Sequence, residues 1–257
     1  MPLPLLAHQA PVLPLKLWRP AAFNGTALMI GSIAPDLEYL RLSVAYNPDR
    51  GFAHSIAGQL YFCLPITTAI VLLVGYGRLG EVLAARLGPR LAWLVGAATD
   101  VTTAGGFFRA CASALVGSFS HIAFDALTHE VLPHRLPAHN FHLGHLGFTS
   151  ATLVSFAVSG AAVLVSLWLL GRISRQATTA APSPRPGRSL LAGLALAGGV
   201  LGVVRALPAI RHPDDYFDAG RVYVWGYVAF LAACGAGAGT LLGGVILAAT
   251  DRRARVL

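Results

Sequence analysis

The feature that most constrains this chain is a run of 24 residues, Phe148–Gly171, without a single charged side chain. About 20 apolar residues in a helix are enough to cross the hydrocarbon core of a bilayer. Three other runs are long and apolar enough: Gly58–Tyr76, Ser189–Ile210, which carries only Arg205, and Arg221–Thr250, which begins at an arginine. A fifth run, Phe107–Leu127, is apolar except for Arg109, His121 and Asp125. These runs predict an all-α, polytopic membrane protein with about five transmembrane helices and short interfacial helices.

The composition agrees with this class. Only 12% of the residues are charged, whereas soluble domains contain about 25%, so an ordinary soluble enzyme, a coiled coil and a disordered chain are all excluded. The net charge is +8, but the basic residues lie mainly at the ends of apolar runs. They therefore indicate topology, and we expect no nucleic-acid partner. The three cysteines lie inside apolar runs without a CxxC pair, which argues against disulfides and a thiolate zinc site.

The chain is predicted to form one domain, residues 1–257. Residues 1–57, interrupted by prolines, form an N-terminal interfacial segment in which Thr26–Ala34 is a short helix. Residues 58–171 carry the candidate site, 172–188 form a flexible cytoplasmic linker, and 189–257 form C-terminal helices. The segment Leu91–Gly106 is interpreted as interfacial or re-entrant. Arginine-rich segments at 77–90, 172–188 and the C-terminal tail predict an inner-membrane protein whose site faces the extracytoplasmic side.

Histidine is unusually frequent for so apolar a chain. There are nine, and six of them lie between residues 121 and 145. His121, Asp125 and His129 are spaced four residues apart, which places their side chains near one face of a helix. Ionisable groups in a membrane helix face the bundle interior or its mouth. The motif alone leaves two interpretations open, a histidine–aspartate ion pair or part of a metal site.

Other polar groups lie near the ends of apolar segments. Asp36 and Glu38 follow Pro35 and could converge on a metal, although by themselves they favour a helix cap at Asp36. His54 stands at the start of the first span, and His8 lies in the apolar N-terminus. In the segment before the third span, His142 and His145 could chelate a metal if that segment is helical.

The order of these motifs matters more than any one of them. His8, then Gly31-Ser32-Ile33-Ala34-Pro35-Asp36-Leu37-Glu38, then Ala53-His54-Ser55, then Ser120-His121-Ile122-Ala123-Phe124-Asp125 resembles the bacterial membrane-bound metal-dependent hydrolases. With Tyr39, Ala126-Leu127-Thr128-His129 and His145 added, the pattern looks like an uncharacterised membrane family, domain of unknown function 4184. The resemblance covers roughly residues 1–171.

The resemblance implies a helical membrane protein with a divalent metal, zinc being the expected one, as one or two ions. By position, the metal ligands would be His8, Asp36, His54, His121 and Asp125, with His145 matching the narrower family only. Glu38 would be a ligand or a base. The sequence departs from the hydrolase pattern in two places: Glu38 stands where aspartate is more usual, and no histidine–arginine pair precedes the His54 segment.

These observations predict a metal-dependent enzyme that hydrolyses a phosphoester or ester bond in a small amphiphilic substrate at the membrane surface. Glu38 or His129 would act as general base, and Arg135 would hold an anionic oxygen. Membrane lipid and the substrate are the expected partners. Three alternatives remain: a non-hydrolytic cyclase or isomerase using histidine and aspartate as acid and base, a metal or ion transporter, and a structural membrane protein. No inverted repeat supports a transporter.

Overall fold

The computed structural model describes residues 4–41, 51–76, 79–80, 82–83, 101–132, 135, 139–143, 146–176, 187–211 and 221–253. Three short helices come first: α1 (Pro4–Ala7), α2 (Leu13–Trp18) and α3 (Gly25–Gly31), followed by a 3-10 helix, Pro35–Arg41. Helix α4 (Ile56–Gly58) continues through a π-turn, Gln59–Cys63, into α5 (Leu64–Tyr76). Helix α6 (Ala104–Asp125) ends in a second π-turn, Ala126–Val131. Three long helices follow: α7 (Ser150–Gln176), α8 (Arg188–Arg211) and α9 (Arg221–Arg253).

Within the part of the chain that the structure describes, five helical segments are long and apolar enough to cross a membrane. They are Ile56–Gly75, Ala104–Val131, Ser150–Arg172, Ser189–Arg211 and Tyr227–Thr250. The prediction of a helical membrane protein with about five spans is therefore confirmed. The short helix predicted at Thr26–Ala34 is also present as α3. Helix α7 extends to Gln176, into the segment that was predicted to be a linker.

Several predicted features lie outside the described residues. These are most of the arginine-rich segment 77–90, residues 91–100 of the interfacial or re-entrant segment, the linker residues 177–186 and the tail residues 254–257.

A short β-hairpin precedes the third span and was not predicted. Strand β1 (Asn140–Leu143) pairs antiparallel with β2 (Leu146–Thr149), with Asn140 opposite Thr149. Apolar residues alternate along both strands, a period-2 pattern that favours strand over helix. His142 is therefore in a strand, and the suggestion that it chelates a metal from a helical turn is wrong. His145 lies outside the described residues.

Helix α3 packs directly along α6 because glycines leave no side chain between them. A Cβ at Gly117 would lie 2.4 Å from the Leu28 carbonyl oxygen, and a Cβ at Gly31 would lie 2.4 Å from the Ala114 carbonyl oxygen. Hydrogen bonds fix the direction: the Asn24 N–H donates to Ser113 Oγ, and the Ser32 carbonyl, further along, accepts from His121, so the two helices are parallel. This packing carries the chain from α3 into the 3-10 helix beside the last turns of α6.

We expect Gly117→Ala to force α3 and α6 apart, because its Cβ would meet backbone rather than a movable side chain. Overpacking of this kind costs about 1–3 kcal/mol. The thermal unfolding midpoint of the detergent-solubilised protein should fall accordingly. Gly105→Ala is the matched control, since it lies in the same helix and its Cβ would meet nothing within 4 Å. Equal midpoints for the two variants would contradict this description of the contact.

Helices α8 and α9 form an antiparallel pair in close contact. A Cβ at Gly198 would lie 2.1 Å from the Gly235 carbonyl oxygen, and one at Gly239 would lie 2.0 Å from the Leu194 carbonyl oxygen. The small residues of the stretch Ala233–Gly239 allow the two backbones to approach this closely. An apolar groove of about 450 Å³ runs along this pair, from Leu40 and Arg205 at one end to Leu194 and Leu242 at the other.

Candidate metal centre

Five of the residues predicted as metal ligands come together at one end of the bundle. His8 follows α1, Asp36 lies in the 3-10 helix, His54 precedes α4, and His121 and Asp125 lie in the last turns of α6. His8, Asp36 and His121 are buried, whereas His54 and Asp125 are partly exposed. Segments far apart in sequence therefore place three imidazoles and two carboxylates around one point.

The closest contacts in this cluster have the spacing of metal ligands. His121 Nε2 lies 3.3 Å from His54 Nε2 and 3.3 Å from Asp125 Oδ2. His54 Nε2 and Asp125 Oδ2 are 3.7 Å apart. Zinc–ligand bonds of about 2.0–2.2 Å in a tetrahedral site put two ligand atoms about 3.3–3.6 Å apart. Two of the three separations lie in this range and the third, 3.7 Å, is just above it, so these side chains have nearly the spacing of one face of a zinc coordination shell.

Asp36 is the most unusual group in the cluster. Its side chain is fully buried, and neither carboxylate oxygen has a hydrogen-bond partner among the described residues. The nearest imidazole nitrogens, of His121 and His8, are 3.8 and 4.0 Å away, too far for a hydrogen bond. Burial raises the pKa of Asp36 to about 6. A buried carboxylate without donors is costly unless a cation compensates it, so this site fits a metal.

The interpretation of Asp36 as a helix cap is therefore wrong. A capping carboxylate accepts a hydrogen bond from a backbone N–H two or three residues later. Asp36 instead lies within the first turn of the 3-10 helix, directly after Pro35, and its oxygens accept no such bond. The chain turns its carboxylate toward the imidazoles of His8 and His121.

His121 is held in one orientation by the backbone of α3. Its Nδ1 lies 2.8 Å from the Ser32 carbonyl oxygen, to which the Nδ1–H donates. This bond selects the tautomer whose Nε2 carries a lone pair, and Nε2 is the atom that faces His54 and the two carboxylates. A histidine that ligates a metal commonly donates its other N–H in this way. The contact depends on the close packing at Gly117.

His8 completes the buried side of the cluster. Its ring stacks on that of His121, with centroids 3.8 Å apart, and meets the edge of Phe124. Its Nε2 lies 3.5 Å from Asp125 Oδ1. Burial lowers the pKa of His8 to about 3. The ring is therefore neutral at physiological pH, the form that binds metals.

His129 lies at the open side of the cluster, with 38% of its side chain exposed and its Nε2 3.7 Å from Asp125 Oδ1. Four residues of α-helix would turn it about 40° past Asp125. The second π-turn winds less per residue and keeps the two in line. The Ser155 hydroxyl donates to the Thr128 carbonyl, so its oxygen can accept a bond from His129 Nδ1, 3.4 Å away.

Two other predicted site residues that the structure describes, Glu38 and Arg135, are not among the clustered groups. The Glu38 carboxylate accepts a hydrogen bond from the Ala53 N–H at 3.1 Å, so it holds the segment that carries His54. In a 3-10 helix of three residues per turn, positions 36 and 38 point in different directions. Arg135 is exposed in a turn after α6. His145 lies outside the described residues.

Three groups that position the cluster had no signal in the sequence. They are the Ser32 carbonyl, the Ser155 hydroxyl and Gln59, which donates to the Ala53 carbonyl from the first π-turn. A carbonyl is common to every residue, and serine within an apolar span is usually interpreted as helix packing. Both π-turns adjoin the cluster, and π-turns are frequent at functional sites.

The comparisons with known proteins identify a family without an assigned activity. A family model described as a domain of unknown function, DUF4184, matches residues 1–207. Searches of curated proteins and of solved structures found no match. The matched residues contain every element of the candidate metal centre. The chain belongs to the DUF4184 family.

Proposed function

We propose that this protein is a metal-dependent membrane hydrolase that cleaves a phosphoester or ester bond of an amphiphile. The observation that carries the proposal is the buried carboxylate of Asp36, which has no hydrogen-bond donor and faces His8 and His121. The mixture of imidazole nitrogen and carboxylate oxygen suits zinc, which we expect to be the metal. Such a cation supplies Lewis acidity, polarising the scissile ester and making water a stronger acid.

The protein side chains of the cluster have separate roles in the proposed reaction. His121, fixed by the Ser32 carbonyl, and the buried His8 and Asp36 form a rigid wall that excludes bulk water on one side. His129 occupies the exposed side, where the Ser155 hydroxyl orients its ring. We assign His129 Nε2 as the general base that accepts a proton from the attacking water. Glu38 acts as a positioning residue for His54.

The surroundings of the cluster favour a substrate that arrives from the membrane. Ile56 and Leu127, next to the candidate ligands, are 73% and 44% exposed. These side chains lie at the ends of two spans, where an amphiphile would present its polar head. The groove along α8 and α9 begins at Leu40, in the same 3-10 helix as Asp36. The alkyl chain of the substrate would lie in this groove while its polar head occupies the cluster.

The proposed location is the extracytoplasmic end of the inner membrane. The turn between α2 and α3 lies at the opposite end from the cluster, because Arg109, near the start of α6, donates to the Ala21 carbonyl. In a background without cysteine, His139→Cys should react with an impermeant maleimide on spheroplasts, whereas Ala22→Cys should react only after permeabilisation. The reverse pattern would place the site on the cytoplasmic side.

The hydrolase proposal is tested with purified protein in lipid nanodiscs and a panel of phosphoester and ester amphiphiles. We expect release of the polar head, loss of that activity with EDTA, and its return when zinc is added. Activity that survives EDTA would instead support an acid–base cyclase or isomerase. Metal flux into liposomes without hydrolysis would support a transporter. Either outcome would overturn the hydrolase.

A further inference from the structure

We propose that the cluster binds two divalent ions and that Asp36 and Asp125 each bridge them. This inference rests on the metal centre of the proposed function and specifies how many ions it holds and which atoms they share. It follows from the separate directions of the carboxylate oxygens and from the stacking of two imidazole rings.

The contacts divide the cluster into two halves. Asp125 Oδ2 faces His121 and His54, at 3.3 and 3.7 Å, whereas Asp125 Oδ1 faces His8 at 3.5 Å. Asp36 divides in the same way, with Oδ1 3.8 Å from His121 and Oδ2 4.0 Å from His8. Each aspartate therefore directs one oxygen to each half. This is the arrangement of a carboxylate that bridges two ions.

The ring geometry separates His8 from His121. Their planes are inclined by only 21° and their centroids are 3.8 Å apart. The lone pair of an imidazole nitrogen lies in the plane of its ring, so stacked rings point side by side rather than toward one atom. The 3.8 Å offset is close to the spacing of about 3.5–4 Å between ions in two-metal sites. His54 and His121, inclined by 60°, can converge on a shared ion.

The two halves differ in their number of protein ligands. The first contains His54, His121 and one oxygen from each aspartate, the four ligands of a closed site. The second contains His8 and the other oxygen of each aspartate, which are the three protein ligands of an open, catalytic site. His129 lies on this second side, where Asp125 Oδ1 is 3.7 Å away, and is half-exposed. The open position thus faces the proposed base.

The competing arrangement is a single ion. His8, His121 and Asp125 offer ligand atoms within 4.8 Å of one another, and so do Asp36, His54 and His121. A single ion held by the first group would need the stacked rings to tilt toward each other. That group also does not include Asp36 among its ligands. Two ions satisfy both aspartates without moving either ring.

The test uses the full chain in detergent, loaded with Mn²⁺ after removal of metal, and needs no variant. Two bound equivalents and an exchange-coupled Mn²⁺ electron paramagnetic resonance spectrum are expected. One equivalent with an uncoupled spectrum would overturn the two-ion arrangement but leave a metal-dependent hydrolase standing. Two uncoupled equivalents would overturn the bridging role of the aspartates. No binding of Mn²⁺ or Zn²⁺ would overturn both this inference and the metal centre.

The metal content of substituted proteins then shows which histidine belongs to which half of the cluster. His8→Ala should retain one Mn²⁺ and lose the coupled signal, because the ligands of the first half remain. His139→Ala is the matched control, since this histidine is exposed near the hairpin, and it should keep two coupled ions. If His8→Ala kept two coupled ions, the assignment of His8 to the second half would be contradicted. The gel-filtration profile of His8→Ala shows whether the variant has folded.

Discussion

Replacing Asp36 by asparagine is expected to abolish tight metal binding and, at the same time, to stabilise the metal-free protein. The carboxylate is fully buried without a hydrogen-bond donor, so in the absence of metal its charge opposes folding. Removing the charge should raise the free energy of unfolding at neutral pH by about 1–3 kcal/mol, the order of free energy by which burial disfavours a carboxylate whose pKa is raised to about 6. Metal affinity should fall more than about 100-fold, since losing an outer-shell partner alone costs about 10–100-fold.

Thermal unfolding with and without Zn²⁺ measures both effects. Wild-type protein should unfold at a higher temperature with Zn²⁺, because a ligand that binds only the folded state stabilises it. Metal-free Asp36→Asn should unfold at a higher temperature than metal-free wild type, and Zn²⁺ should not raise that temperature further. Glu38→Gln is the control on the same 3-10 helix, because its amide oxygen can still accept the Ala53 N–H. A metal-free Asp36→Asn less stable than wild type would show that some other group already compensates this carboxylate.

Replacing His129 by alanine is expected to remove catalysis while leaving the metal in place. The imidazole is the most exposed of those around the cluster, and the Ser155 hydroxyl orients it. General-base catalysis by a positioned side chain contributes about 10²–10⁴-fold to a rate. The kcat for the best amphiphilic substrate should therefore fall by about that factor, with bound zinc unchanged.

Measuring bound metal and kcat on the same samples distinguishes a general base from a metal ligand at His129. His139→Ala, on the exposed segment before the hairpin, should change neither quantity. If His129→Ala loses one ion along with activity, His129 is a ligand of the open half and another group is the base. If it retains full activity, the assignment of the base is wrong.

Much of the fold follows from the sequence because few backbone structures are stable in the hydrocarbon core of a bilayer. An uncharged stretch such as Ser150–Gly171 must be helical if it spans a bilayer, since its backbone groups cannot bond to water. The five spans were predictable for this reason. The hairpin was not, because Asn140–Thr149 carries only short alternations within a polar, histidine-rich segment. Strand pairing there depends on contacts that composition does not reveal.

The identities of the candidate ligands and their order along the chain were predictable from the sequence. The directions in which their side chains point were not. Asp36 and Glu38 are two residues apart and looked equivalent in sequence. One lies buried beside the imidazoles and the other bonds to the Ala53 N–H, a difference set by the direction of each side chain in the 3-10 helix. The stacking of His8 on His121 joins residues more than a hundred positions apart. The close packing at Gly31 and Gly117 that orients His121 likewise has no local signature.

The most direct test of the central claim is elemental analysis of the detergent-purified protein, with wild type beside His121→Ala and His139→Ala. The metal centre predicts stoichiometric zinc or a similar divalent metal in wild type and in His139→Ala, and its loss from a folded His121→Ala. Wild-type protein that folds but contains no metal, and that takes up none when Zn²⁺ or Mn²⁺ is supplied, would contradict it.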